Sequence, residues 1–118
     1  MTSEANMKTF QKLIHDICIH PGVYVDSYNF LMVEAWLSGY DRALYDQGYI
    51  YGAGKKSILR IFGLWLSKKY SESHGIYSNF VWSAYFRRLH DDEEALRQLP
   101  ILFDEFIADC EANGENSQ

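Results

Sequence analysis

Cysteine, proline and long apolar runs are all scarce in this chain, and each scarcity removes a class of protein. Only Cys18 and Cys110 are present among 118 residues. They stand far apart, with no C-x-x-C and no zinc-ligand spacing, so neither a disulfide scaffold nor a metal ribbon is expected. Two reduced, partly buried thiols are the expected state, since a bridge would need the first and last helices to be neighbours with suitable geometry. Two prolines and eight glycines are too few for a disordered or loop-rich chain. No window of about 18 uninterrupted apolar residues occurs, so no membrane-spanning helix is expected. The opening stretch MTSEANMKTF lacks a cationic start followed by an apolar run, so no secretory signal is expected, and a cytoplasmic location follows as the default. Cations are scarce in one region only. Residues 91–118 hold nine carboxylates and a single Arg, Arg97, whereas residues 1–90 hold seven carboxylates and ten Lys or Arg. The net charge of −5 is therefore +3 on the first part and −8 on the last. Such a surface repels phosphates and disfavours direct binding of nucleic acid there.

What is present is apolar and aromatic: 47% hydrophobic residues and 16% Phe, Trp and Tyr. A chain of this length forms one domain over residues 1–118 and buries roughly two-thirds of its unfolded surface. Almost every long segment repeats with period 3.6. Phe10, Leu13, Ile14, Ile17 and Cys18 predict a helix over about 4–19, stopped by His20-Pro21-Gly22. Val23-Tyr24-Val25 reads as a short extended piece, and Asp26-Ser27 as a helix cap. Tyr28, Leu31, Met32, Ala35, Trp36, Gly39, Tyr40, Ala43 and Leu44 predict the next helix. Gly39 lies on that stripe, which suggests a close helix crossing. Gln47-Gly48 ends it, and Tyr49-Ile50-Tyr51 is a short strand or an aromatic loop. A third helix is predicted over about Lys55–Tyr70, with Ile58, Ile61, Phe62, Trp65 and Leu66 inward and Lys55, Lys56, Arg60, Lys68 and Lys69 outward. Residues 71–75 read as a polar turn. Ser78 is placed to cap a fourth helix to about Leu89, with Phe80, Val81, Ala84 and Tyr85 on one face and Trp82 and Phe86 on another, a pattern that predicts a central helix. Asp91 caps the last helix, whose first turn carries Asp92, Glu93 and Glu94 in favourable register with the helix dipole. Pro100 should kink or split it. Leu99, Leu102, Phe103, Phe106, Ile107 and Cys110 continue the stripe, and a disordered tail is expected from about residue 113. The fold class is all-α: a single compact domain of five or six helices, with at most a minor two-stranded element.

Chemistry-bearing patterns are weak. Tyr51-Gly52-Ala53-Gly54-Lys55-Lys56-Ser57 resembles a phosphate loop only superficially, because Tyr49 stands where the first Gly belongs and Lys56 where Ser or Thr belongs. His15, His20, His74 and His90 show no H-x-x-x-H or H-E-x-x-H spacing, so no metal site is expected. There is no G-x-S-x-G, and adjacent solvated acids at 91–94 do not suit acid/base catalysis across a cleft. No enzyme activity and no cofactor are expected. The acidic segment then has two readings: a solvated helical face, or a docking surface for a cationic protein.

Four stretches, HPGVYVDS, AWLSGYDRAL, IFGLWLSKKY and HGIYSNFVWSAY, give the chain a familiar look. Pro21, Gly22, Tyr24, Leu37, Gly39, Tyr40, Phe62, Trp65, His74 and Gly75, followed by an acidic segment rich in Leu and Phe, resemble a group of small bacterial proteins from about Phe10 to Phe106. Some of that group look like immunity proteins of polymorphic-toxin systems, including contact-dependent growth inhibition. The resemblance implies a helical inhibitor that binds a cognate toxin domain, often a nuclease, and occludes its active site. It transfers no functional residue, and Pro100 departs from the unbroken last helix of the pattern. Toxic nucleases are cationic where they hold nucleic acid, so the contact residues expected here are Asp91, Asp92, Glu93, Glu94, Asp104, Glu105 and Asp109. Two readings compete. One is a non-catalytic interaction or regulatory module, homodimeric through the face near Trp82 and Phe86. The other is a small enzyme or ligand-binding protein with a pocket among Tyr40, Trp65 and Tyr85.

Overall fold

Met7, Phe10, Ile14, Ile17 and Cys18 recur at helical spacing, and all are buried on one face of α1, Ser3–Ile19. The structure, a computed structural model, describes residues 3–26, 29–51, 54–74 and 82–112. Pro21 opens one further turn, α2, Pro21–Tyr24, at the position where a missing N–H has no partner to lose. The Val23-Tyr24 pair is therefore helical rather than extended. Proline presets the helical φ, and the Val25 N–H closes the turn on the Pro21 carbonyl at 2.8 Å.

Asn29, three residues beyond the expected Asp26, caps α3, Phe30–Asp46; its side-chain oxygen accepts the Leu31 N–H at 2.8 Å and the Met32 N–H at 3.4 Å. Ser27 and Tyr28 lie outside the described residues. The core face of α3 also differs from the expected one. Phe30, Val33, Leu37 and Asp41 are buried, whereas Leu31, Met32, Ala35, Gly39, Tyr40 and Ala43 are exposed. Trp36 and Leu44 pack at the margin of the core. Two apolar faces compete on this helix, and the one chosen carries a carboxylate that the fold itself satisfies. No helix crosses at Gly39, where a Cβ would meet nothing within 4 Å. The helix ends through Gly48 at φ +95°, with Tyr49 N–H on the Leu44 carbonyl and Gly48 N–H on the Tyr45 carbonyl, both at 3.0 Å. This double bond pattern satisfies the last carbonyls and needs the left-handed residue that glycine supplies.

The chain then makes a single antiparallel bridge, Tyr51 with Lys56, through two 2.8 Å backbone bonds. That is the whole of the two-stranded element among the described residues. α4, Ile58–His74, follows; it starts three residues later than expected, after the Tyr51–Lys56 bridge, and runs on through 71–74, read as a turn, because no breaker precedes Gly75. Ser78, Phe80, Val81 and the tail from residue 113 lie outside the described residues. α5 is Trp82–Leu89 and α6 is Asp92–Ala112.

α6, not α5, is central: it packs against α1, α3, α4 and α5. It runs antiparallel to α1, since Lys8 pairs with Glu111 at 2.6 Å while His15 meets Asp104 at 2.8 Å. Pro100 sits inside an unbroken α6. A mid-helix proline costs about 3 kcal/mol, but Leu96, Leu99, Leu102, Phe103 and Phe106 are all buried around it. At about 1.5–3 kcal/mol for each large side chain, that packing outweighs the loss. The antiparallel pairing places Cys18 beside Leu96 and Pro100. Cys110 lies ten residues further along α6, about 15 Å, beyond the reach of a disulfide; neither cysteine forms one. No helix of the described residues is long and apolar enough to cross a membrane.

The centre is aromatic. The Phe62 ring lies 4.9 Å from Phe103, 5.4 Å from Phe106, 6.1 Å from Trp65 and 6.3 Å from both Trp82 and Phe86. Trp82 and Phe86 are thus core residues, which removes the face proposed for a homodimer.

Candidate interaction site

The seven carboxylates expected to meet a partner fall into two sets, separated by what α6 packs against. In the second half of the helix they are half-exposed, and each is engaged by a neighbouring helix. Asp104 accepts from Gln11 Nε2 and meets His15 Nε2, both at 2.8 Å. Glu105 accepts the Tyr70 hydroxyl at 2.6 Å and pairs with Lys69 at 3.1 Å. Asp109 accepts the Trp65 indole N–H at 2.8 Å and pairs with Lys69 at 2.9 Å. Lys69 also lies 5.2 Å from the Trp65 ring centroid. These groups latch α6 to α1 and α4. Each is engaged within the chain and only partly exposed, so a partner meets them less freely than solvated carboxylates.

The first turn is different. Asp91 accepts the Glu94 N–H at 2.9 Å, as a helix cap should, and remains exposed. Glu94 pairs with Arg97 and accepts from Gln98 Nε2 at 2.7 Å. Asp92 and Glu93 are exposed, and among the described residues no cation lies within ion-pair distance of either. Asp91, Asp92 and Glu93 are therefore the open part of the acidic segment.

Beside them is a trough of about 640 Å³ between the end of α1 and the start of α6, lined by Cys18, Ile19, Asp92, Glu93, Leu96, Arg97 and Pro100. The Cys18 thiol is pushed up to about 12 by burial, which keeps it protonated and unreactive. A second hollow, about 360 Å³, is lined by Arg42, Lys55, Lys56 and Arg60 at the start of α4. It holds Gly54, Lys55, Lys56 and Ser57 of the phosphate-loop look-alike, whose Gly52 and Ala53 lie outside the described residues, and among the described residues no strand leads into it. The ligand pocket expected among Tyr40, Trp65 and Tyr85 does not form. Tyr40 stacks on Trp36 at 5.6 Å, whereas Trp65 and Tyr85 flank Tyr70 on the α4–α5 side, each at 5.9 Å.

Two polar groups escaped the sequence reading. Asp41, only 8% exposed, accepts the Leu59 N–H at 3.2 Å and so caps α4 from α3. Its signal was a carboxylate at helical spacing from Val33 and Leu37. Ser83, fully buried, donates to Glu34 at 2.5 Å, with Arg87 3.5 Å from the same carboxylate. Asp41, Glu34 and Arg60 line a third cleft, of about 240 Å³, between α3, α4 and α5. Among the described residues no group of three or more His, Cys, Asp or Glu is placed to hold a metal ion.

Asp109 and Asp41 respond to acid with opposite signs. The hydrogen bond from Lys69, then that from Trp65, holds Asp109 below the ordinary carboxylate range. Its stabilisation is complete above the unfolded value near 3.8 and is lost as pH falls through the lower folded value. Burial pushes Asp41 up, against the opposing hydrogen bonds of Ser57, Leu59 and Ile58. Stability from Asp41 therefore falls as pH rises from 3.8 through its folded value. Urea unfolding followed from about pH 3 to pH 7 should show Asp109→Asn losing less stability on acidification than the unaltered chain. Asp41→Asn should lose more. Parallel curves for all three proteins would remove both assignments.

Compared with protein-family models, with curated proteins and with solved structures, the chain matches none of them.

Proposed function

We propose that this chain is an immunity protein, which binds a cognate bacterial toxin domain and occludes its active site, the toxin being a nuclease with a cationic groove. The observation that carries the reading is the open first turn of α6. Asp91, Asp92 and Glu93 face solvent together at the head of a helix whose other end is latched by its own neighbours. A rigid negative surface fits a cationic nucleic-acid groove by charge and needs no chemistry of its own. The likeness of the Pro21-Gly22, Gly39-Tyr40 and Trp65 stretches to a group of small bacterial proteins, some of which look like immunity proteins, points the same way. Of the seven expected contact residues, Asp91, Asp92 and Glu93 carry the contact. Asp104, Glu105 and Asp109 hold the helix in place behind them, while Glu94 is engaged by Arg97 and Gln98 within the helix.

The test is protection. The neighbouring gene should encode a toxin domain, and the chain co-expressed with that domain should rescue growth and co-purify with it. Growth arrest despite normal accumulation of the chain would remove the reading. Reversing Asp91, Asp92 and Glu93 to Lys together should slow association at low salt by about tenfold, because steering charge acts mainly on the encounter rate. Association rates that ignore both the reversal and the salt concentration would place the contact elsewhere.

A further inference from the structure

Isolated exposed apolar side chains are ordinary, but they become informative when they border a groove. Ile19, at the end of α1, is 59% exposed. Ile101, 53% exposed, lies on the same row of α6 as Glu93 and Arg97, at i+4 spacing. The trough of about 640 Å³ runs between these helices, with buried Leu96 and Pro100 as its floor and Asp92 and Glu93 on its rim. Its volume lies within the roughly 300–1,000 Å³ of ligand sites, yet exposed Ile19 forms part of its lining and exposed Ile101 stands one helical turn beyond Arg97 on the same row. That shape suits a length of polypeptide better than a compact small molecule.

The polar groups say which polypeptide. Arg97 is neutralised by Glu94, so the unpaired charge at the rim is that of Asp92 and Glu93. Pro100 has no N–H, so the Leu96 carbonyl lacks its donor four residues on. The trough thus combines an apolar floor with the exposed carboxylates of Asp92 and Glu93 on one side. We propose that it seats an amphipathic cationic helix of the partner protein. Apolar side chains one turn apart rest on Ile19, Leu96, Pro100 and Ile101, and Lys or Arg side chains reach Asp92 and Glu93. This is helix-in-groove recognition, read as i, i+3, i+4 anchors. It rests on the immunity reading for the source of the helix, which is the toxin domain.

The test titrates the isotope-labelled full chain with three synthetic peptides of equal length: an amphipathic Leu/Lys helix, the same residues scrambled, and an amphipathic Leu/Glu helix. Only the first should bind, with backbone shift changes centred on Ile19, Leu96 and Ile101. Ile101→Ser, and separately Asp92→Lys with Glu93→Lys, should each weaken it by about tenfold. Both sites are on the surface, and unchanged thermal midpoints would show that folding is intact; if Ile101→Ser perturbs the fold, Ile19→Ser replaces it. No binding, equal binding of the scrambled peptide, or shift changes elsewhere would overturn the proposal. So would a dimer of the free chain in sedimentation that Ile101→Ser dissolves, since the occupant would then be a second copy. Failure of the immunity reading looks different: the unaltered chain would give no protection against the toxin domain. Failure of the trough alone leaves protection undiminished in the trough variants.

Discussion

Replacing Phe62 by Ala should lower the free energy of unfolding by about 3–5 kcal/mol, the largest loss expected from any single truncation here. Phe62 is fully buried, and five aromatic rings from α4, α5 and α6 lie within 6.3 Å of its own. No single neighbour can collapse into the space without breaking contact with the others, so the cavity term stays near its upper range. A domain of this size holds about 5–15 kcal/mol in total, so the variant should approach the edge of stability. Urea unfolding monitored by tryptophan emission measures it directly. Tyr45→Ala, at a side chain 41% exposed, is the control and should change stability by less than about 0.5 kcal/mol. A loss at Phe62 no greater than that of the control would contradict the placement of this ring at the centre.

The second large effect is expected at a glycine. Gly63 is buried on α4, and a Cβ there would lie 3.3 Å from the Trp82 backbone N and Cα and from its Cβ. Backbone cannot swing aside as a flexible side chain can, so a larger residue must push α5 away from α4. Gly63→Leu should therefore cost about 1–3 kcal/mol or more and blunt the cooperativity of unfolding, as overpacked cores do. Gly39→Ala should act in the opposite direction, raising stability by about 0.5–1 kcal/mol, because it reduces the freedom of the unfolded chain and meets nothing in the folded one. Denaturant midpoints of the two variants should move apart. A neutral Gly63→Leu would mean that α5 does not rest on this glycine.

The two glycines also show where reading the chain residue by residue stopped working. Periodicity located α1, most of α4 and the stripe of α6, because there one apolar face dominates. It misassigned the inner face of α3, which has two apolar faces. Only the tertiary fold reveals that Asp41 can be buried on one of them, by receiving an N–H from a helix that begins 17 residues later. The close approach expected at Gly39 occurs instead at Gly63, since a crossing depends on a partner that local pattern does not contain. The Asp91 cap was legible because a cap is a local event. The division of the acidic segment was not. Asp104, Glu105 and Asp109 look like Asp92 and Glu93 in sequence, and differ only in having Gln11, His15, Trp65, Lys69 and Tyr70 brought against them from as far as 93 residues away. The turn at Pro21-Gly22 became a helical turn for a simpler reason: proline suits the first residue of a helix as well as it suits a stop.

The position of α6 at the hub sets the order in which the protein can be made. While a ribosome is still extending the chain, α1, α3, α4 and α5 exist without the element that all of them rest against, and the link from Lys8 to Glu111 spans 103 residues. Little of the core can close until α6 has cleared the exit tunnel, so the segment before it carries its aromatic side chains uncovered until then. Truncation within α6 should therefore abolish folding as a whole.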